Sequence, residues 1–63
     1  MKVRDVIRRL KEDGWVIVRQ ESSHRTLKKN GVKENIAISG IDRDEVFPGQ
    51  LSDIRRKSGL SLR

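Results

Sequence analysis

The segment "RQESSHRTLKK", from Arg19 to Lys29, holds the only histidine of the chain, set among four basic residues and one glutamate. An imidazole whose ordinary pKa is near 6.5 can take up or release a proton around neutrality, which suits His24 to general acid–base work. Arg25, Lys28 and Lys33 are nearby cations able to stabilise charge growing on phosphate oxygens. Other chemistries fit less well. A Ser-His hydrolase needs an oriented base and an oxyanion hole, and adjacent Ser23 and His24 point to opposite faces of an extended strand. One histidine and scattered carboxylates lack metal-ligand spacing, and the chain has no cysteine to supply a thiolate or a disulfide. A lone histidine in a small basic protein is ordinarily a plain surface residue. Its meaning depends on the elements that hold it.

The 63 residues make one domain at most, residues 1–63, with 21 hydrophobic residues for one small core. A chain of this size buries only about 60% of the surface exposed when unfolded. No apolar run approaches a membrane span and "MKVRDVIRRL" is too charged for a signal peptide, so a soluble protein of the cytoplasm, away from membranes, is expected. The formal charge is +6. Residues 1–33 hold ten Lys/Arg and four Asp/Glu, whereas residues 34–63 hold five of each, so the whole excess lies in the first half. That asymmetry fits a polyanion-binding face, and equally ordinary solubilising charge.

In "KVRDVIRRLKEDG", Val3, Val6, Ile7 and Leu10 form one apolar helical stripe, with Asp5–Arg9 and Arg9–Asp13 as possible flank pairs and Gly14 just past the end. No Ser, Thr, Asp or Asn precedes the stripe, so its N-terminal cap is weak. "WVIVRQ" reads as a strand over 15–20. Trp15, following a helix-ending glycine, is assigned to the core rather than to stacking on a base. "HRTLKK", Asn-Gly and "VKENIAIS" then read as a hairpin with a type I′ turn at Asn30-Gly31. That turn sets Lys29 opposite Val32, Leu27 opposite Glu34 and His24 opposite Ala37. Leu27, Val32, Ile36 and Ile38 then face the helices. His24, Thr26, Lys28, Lys33, Asn35 and Ala37 occupy the open face.

The acidic "DRDE" segment reads as a solvated loop. In "PGQLSDIRRKSGL", Pro48 suits a first helical turn, and Arg55, Arg56 and Lys57 complement the dipole of the last turn. Gly59-Leu60 has the form of a Schellman ending, giving a helix of about 48–58. The expected class is α+β, in the order α-β-β-β-α, with a three-stranded antiparallel sheet covered on one face by two helices.

The succession "VIRRLKEDGWVIVRQ", "SSHR", "NIAIS" and "FPGQLSDIRRKSGL" resembles, over nearly the full chain, the HicA toxin family of HicA–HicB toxin–antitoxin modules. The Ser-His pair after an Arg-Gln strand end is the most specific piece. The resemblance implies a dsRBD-like fold, cleavage of mRNA by the histidine of the Ser-His motif, and neutralisation by a HicB-like antitoxin protein. It makes His24 the catalytic residue and Ser23 its motif neighbour. Ser23, Lys28, Lys33, Arg25 and Lys29 become the nucleic-acid-binding set, with Lys28 and Lys33 preferred to Arg25 because they share the face of His24. Two positions depart from the family: Ser22 stands where glycine is usual, and Leu27 where an aromatic residue is favoured.

RNA carries its own nucleophile, the 2′-OH, so cleavage needs neither metal nor small-molecule cofactor if protons move and charge is stabilised. One histidine cannot be acid and base in the same step. Water, a lysine or Glu21 must fill the second role, and general acid–base help is worth about 10²–10⁴-fold. The expected function is thus a metal-independent endoribonuclease toxin, an mRNA interferase. A non-catalytic RNA-binding module and an inactive antitoxin-binding protein are the alternatives.

Overall fold

The computed structural model describes residues 1–62. Its elements are α1 (Val3–Glu12), β1 (Val16–Glu21), β2 (His24–Lys28), β3 (Ile36–Ile38) and α2 (Pro48–Ser58). The strands form one antiparallel sheet in the order β1-β2-β3. Val3, Val6, Ile7 and Leu10 of α1 and Leu51 and Ile54 of α2 are buried together with Leu27, Ile36 and Ile38. The two helices therefore cover one face of the sheet and leave the other open. Trp15 is 2% exposed and belongs to this core, as expected.

The weak N-terminus of α1 is completed from elsewhere in the chain. No side chain caps it. Instead the Val3 and Arg4 N–H groups donate to the backbone carbonyls of Asp44 and Asp42, at 2.8 and 3.1 Å. Those are donors a helix cannot satisfy internally. The acidic loop is thus not merely solvated: it caps α1, and its Asp42 pairs with Arg25 at 2.7 Å. The flank pairs of α1 also differ from the i, i+4 expectation. Asp5 meets Arg8 at 3.6 Å, and Asp13 meets Lys29, just past the end of β2, at 2.9 Å.

α2 spans Pro48–Ser58 as expected, with the basic residues in its last turn. Its ending is a single-bond left-handed cap rather than a Schellman motif. Gly59, at φ 73°, donates to the Arg55 carbonyl at 2.8 Å, whereas the Leu60 N–H turns to the Ser58 hydroxyl.

The largest correction concerns the β2–β3 connection. Val32 N–H does donate to the Lys29 carbonyl across Asn30-Gly31, at 3.1 Å. Yet only Gly31 of the two central residues has positive φ, 85°, where a type I′ turn needs both. A turn with positive φ only at its second central residue splays the flanking strands. Pairing is therefore delayed to Leu27↔Ile36, with Thr26↔Ala37 and Arg25↔Ile38 following. The tight turn would have set Glu34 beside Leu27 on the core face. The delayed register substitutes Ile36, 1% exposed, and frees Glu34 to meet Arg56 at 3.4 Å. The shift is two residues, so every strand residue keeps its expected face. Lys33 and Asn35 do not: they precede β3 and lie in the loop.

Candidate functional site

β1 and β2 are joined by the two-residue turn Ser22-Ser23, closed by the cross-strand pair Glu21↔His24. Ser22 has φ 56°, the only positive φ at a non-glycine residue among those described. A two-residue hairpin with positive φ at its first central position alone is of type II′, which prefers glycine there. Its right-handed twist continues into both strands, so β2 starts directly at His24.

Within β1 the register slips between Ile17 and Arg19. Val18 is the extra residue of a β-bulge, and this single irregularity decides what surrounds His24. Ile17 pairs with Leu27 on the core side. Unbroken alternation would then send Arg19 and Glu21 to the core side as well. The bulge instead pairs Arg19 with Thr26 and Glu21 with His24, both on the open face. Sequence reasoning that assumed a regular strand missed Arg19 for this reason. The only available signal was a charged residue at a position where alternation demands an apolar one.

His24 is exposed, at the start of β2 on the open face. A shallow depression of about 250 Å³ beside it is lined by Arg19, Glu21, Arg25 and Thr26 and, from β3 and its end, Ala37, Ile38 and Ser39. Arg19 donates from Nε to a Glu21 carboxylate oxygen at 2.9 Å and contacts the same oxygen through a second guanidinium nitrogen. Both side chains are about 70% exposed (71% and 67%).

The five expected nucleic-acid contacts separate. Ser23 is half-buried in the turn next to His24. Lys28 is exposed on the same face but four residues along β2, about 13 Å away by strand rise, beside Val16 and Val18. Lys29 is held by Asp13. Arg25 lies on the core side of the sheet, 15% exposed, with its guanidinium on Asp42. Lys33 is exposed in the β2–β3 loop, off the sheet. The expectation that Lys28 and Lys33 jointly attend His24 is thus corrected: Arg19 shares its depression instead. Among the described residues, no three His, Cys, Asp or Glu side chains come together to hold a metal ion.

The sequence model for the HicA toxin of bacterial toxin–antitoxin matches residues 3–60. The chain belongs to the HicA toxin family. A solved chain from a HicA3 and HicB3 toxin–antitoxin complex is similar throughout: it is 31% identical, the match covers 100% of both chains, and the TM-score is 0.82. No curated protein matches the chain significantly. The two departures from the HicA pattern have structural counterparts. Ser22 occupies the positive-φ turn position, and Leu27 fills its core site completely, at 0% exposed. No helix among the described residues is long and apolar enough to cross a membrane.

Proposed function

We propose that this HicA-family toxin is a metal-independent endoribonuclease, an mRNA interferase, with His24 as its catalytic residue and a HicB-like antitoxin as its inhibitor. The observation that carries the reading is the placement of the one imidazole. It stands in the open beside a depression that Arg19 lines, on a sheet whose other face packs against the helices. A strand of RNA laid along the open face brings its backbone to His24 without entering a cleft.

In the reaction the 2′-oxygen of RNA attacks the adjacent phosphorus, the P–O2′ bond forms and the P–O5′ bond breaks. The 2′-OH proton must leave and the 5′-oxygen must gain one. His24 moves one of these protons and water or a neighbouring group moves the other. The nucleophile belongs to the substrate, so the chemistry requires no metal-bound water. Lys28 fits a phosphate further along the strand, and Ser23 supports the turn that presents His24. Arg25, Lys29 and Lys33 contribute to the positive field rather than to the reacting phosphate. A protein seated on the open face would exclude RNA from His24, and that is the role assigned to the antitoxin.

The test is cleavage of single-stranded RNA by the purified chain, with and without EDTA, beside His24→Ala. Cleavage that survives EDTA and is lost in the variant supports the enzyme. Salt-sensitive binding without cleavage leaves an RNA-binding module. Neither cleavage nor binding leaves a protein that only engages an antitoxin.

A further inference from the structure

We propose that Arg19 is the phosphodiester-binding residue of the His24 site, and that Glu21 is a resident anion which holds its guanidinium until RNA replaces it. This rests on the ribonuclease reading for its chemistry but not for its binding. Three observations carry it. First, the bulge at Val18 turns Arg19 onto the open face, where it pairs with Thr26 and lines the depression beside His24. Of the five cations considered, Lys28 is too far along the strand, Lys33 lies off the sheet, and Lys29 and Arg25 are tied to Asp13 and Asp42. Arg25 also lines that depression, but its side chain is 15% exposed and held by Asp42, which leaves Arg19, 71% exposed, as the accessible cation beside the histidine.

Second, the guanidinium already binds an oxyanion there. Two of its nitrogens address one carboxylate oxygen of Glu21, the residue facing His24 across the turn. A planar fork that accepts a carboxylate accepts a phosphate in the same way. The Glu21 carboxylate therefore marks a position where a phosphate oxygen can be held next to the imidazole. Thr26 and Ser39 add hydroxyl donors to the same depression.

Third, the Arg19–Glu21 contact is easily surrendered. Both side chains are mostly exposed, at 71% and 67%, and exposed ion pairs contribute little to stability. Exchanging one anion for another on Arg19 therefore costs little. It leaves Glu21 as a like-charged neighbour that weakens phosphate binding and speeds product release.

The experiment uses the full chain with two probes, a single-stranded RNA oligonucleotide for cleavage and its 2′-O-methyl analogue for binding without turnover. Arg19→Gln should lower kcat/KM about 10²-fold, as loss of a charge-stabilising donor does. It should also reduce the slope of log affinity against log salt by about 0.7, one single-strand phosphate contact. Arg19→Lys should keep the slope and recover only part of the rate, because the point charge remains and the fork does not. Glu21→Gln should strengthen binding about two- to five-fold, the range of an exposed ion pair removed as competitor. His24→Ala should lose cleavage and keep the slope. If Arg19→Gln retains both rate and slope while His24→Ala is inactive, the Arg19 proposal is overturned and the ribonuclease reading survives. If Glu21→Gln is slower than the parent, the resident-anion role falls and Glu21 is the second proton-transfer group. An Arg19-dependent slope without any cleavage upholds the phosphate site and removes the enzyme. A chain that neither binds nor cleaves removes both.

Discussion

Glu21 and His24 are direct cross-strand partners across a turn of only two residues, Ser22 and Ser23. The catalytic candidate is therefore presented by one of the shortest loops the chain can make, and its direction follows the twist of that turn rather than a flexible excursion. The strain sits at Ser22, whose φ of 56° is one that a side chain opposes.

Ser22→Gly should accordingly stabilise the fold. Relief of the left-handed conformation is worth about 1 kcal/mol, partly offset by the greater chain entropy of glycine. For a domain of this size a net gain near 0.5 kcal/mol corresponds to a rise of about 2–4 °C in Tm. Thermal unfolding followed by circular dichroism checks it, and a lower Tm would contradict the assignment of the turn.

His24→Ala, in contrast, should leave stability within about 0.5 kcal/mol of the parent, as substitutions at exposed sites without packing do. Chemical denaturation is the measurement. A large loss would mean that the imidazole supports the hairpin and would undercut its assignment to chemistry.

Trp15 is the opposite case. It is one of the largest fully buried side chains, and truncation to alanine removes about 3–5 kcal/mol. A chain of this length has roughly 3–9 kcal/mol in all. Trp15→Ala should therefore lose roughly half or more of that stability, read as a lower denaturation midpoint, and Trp15→Phe should lose less. The single tryptophan is its own reporter in the parent: its emission should shift to the red on unfolding.

The two lysines expected to share a face are now separable. Lys28→Gln should reduce the salt slope of binding to the 2′-O-methyl oligonucleotide by about 0.7. Lys33→Gln should change it by less than half as much. Equal effects would place RNA across the β2–β3 loop as well as the sheet.

Asp53 gives a pH signature on the far side of the molecule. Hydrogen bonds from Arg56 and Lys57 hold its carboxyl below the ordinary aspartate value of 3.8. A depressed folded-state pKa contributes stability above the unfolded value and loses it as pH falls through the folded one. The parent should exceed Asp53→Asn in Tm at neutral pH, and the difference should shrink below pH 3.8. A difference that persists unchanged in acid would assign the effect to something other than these pairs.

Most of the scaffold was legible in the sequence because its signals are local. The stripe from Val3 to Leu10, Pro48 at the start of α2 and Gly59 at its end are matters of spacing and of φ. The site was less legible because two residues of backbone behaviour decide it. Asn30-Gly31 formed a turn of the wrong hand for a tight hairpin, since burying Ile36 against Leu27 outweighs keeping Glu34 there. Val18 broke the alternation of β1, and none of the apolar residues in "WVIVRQ" announces a bulge. An arginine and a glutamate on the inward phase of an otherwise regular strand were the one available warning.

The kink at Val18 also bears on what this sheet does to other molecules. β1 is an outer strand with Val16 and Val18 uncovered, which by itself invites another chain to add on beside it. A bulge interrupts the row of free amide and carbonyl groups that such an intruder would need, and the charges following it repel one. Straightening the strand would therefore do more than silence a site: it would leave an unbroken edge open to pairing with a second chain.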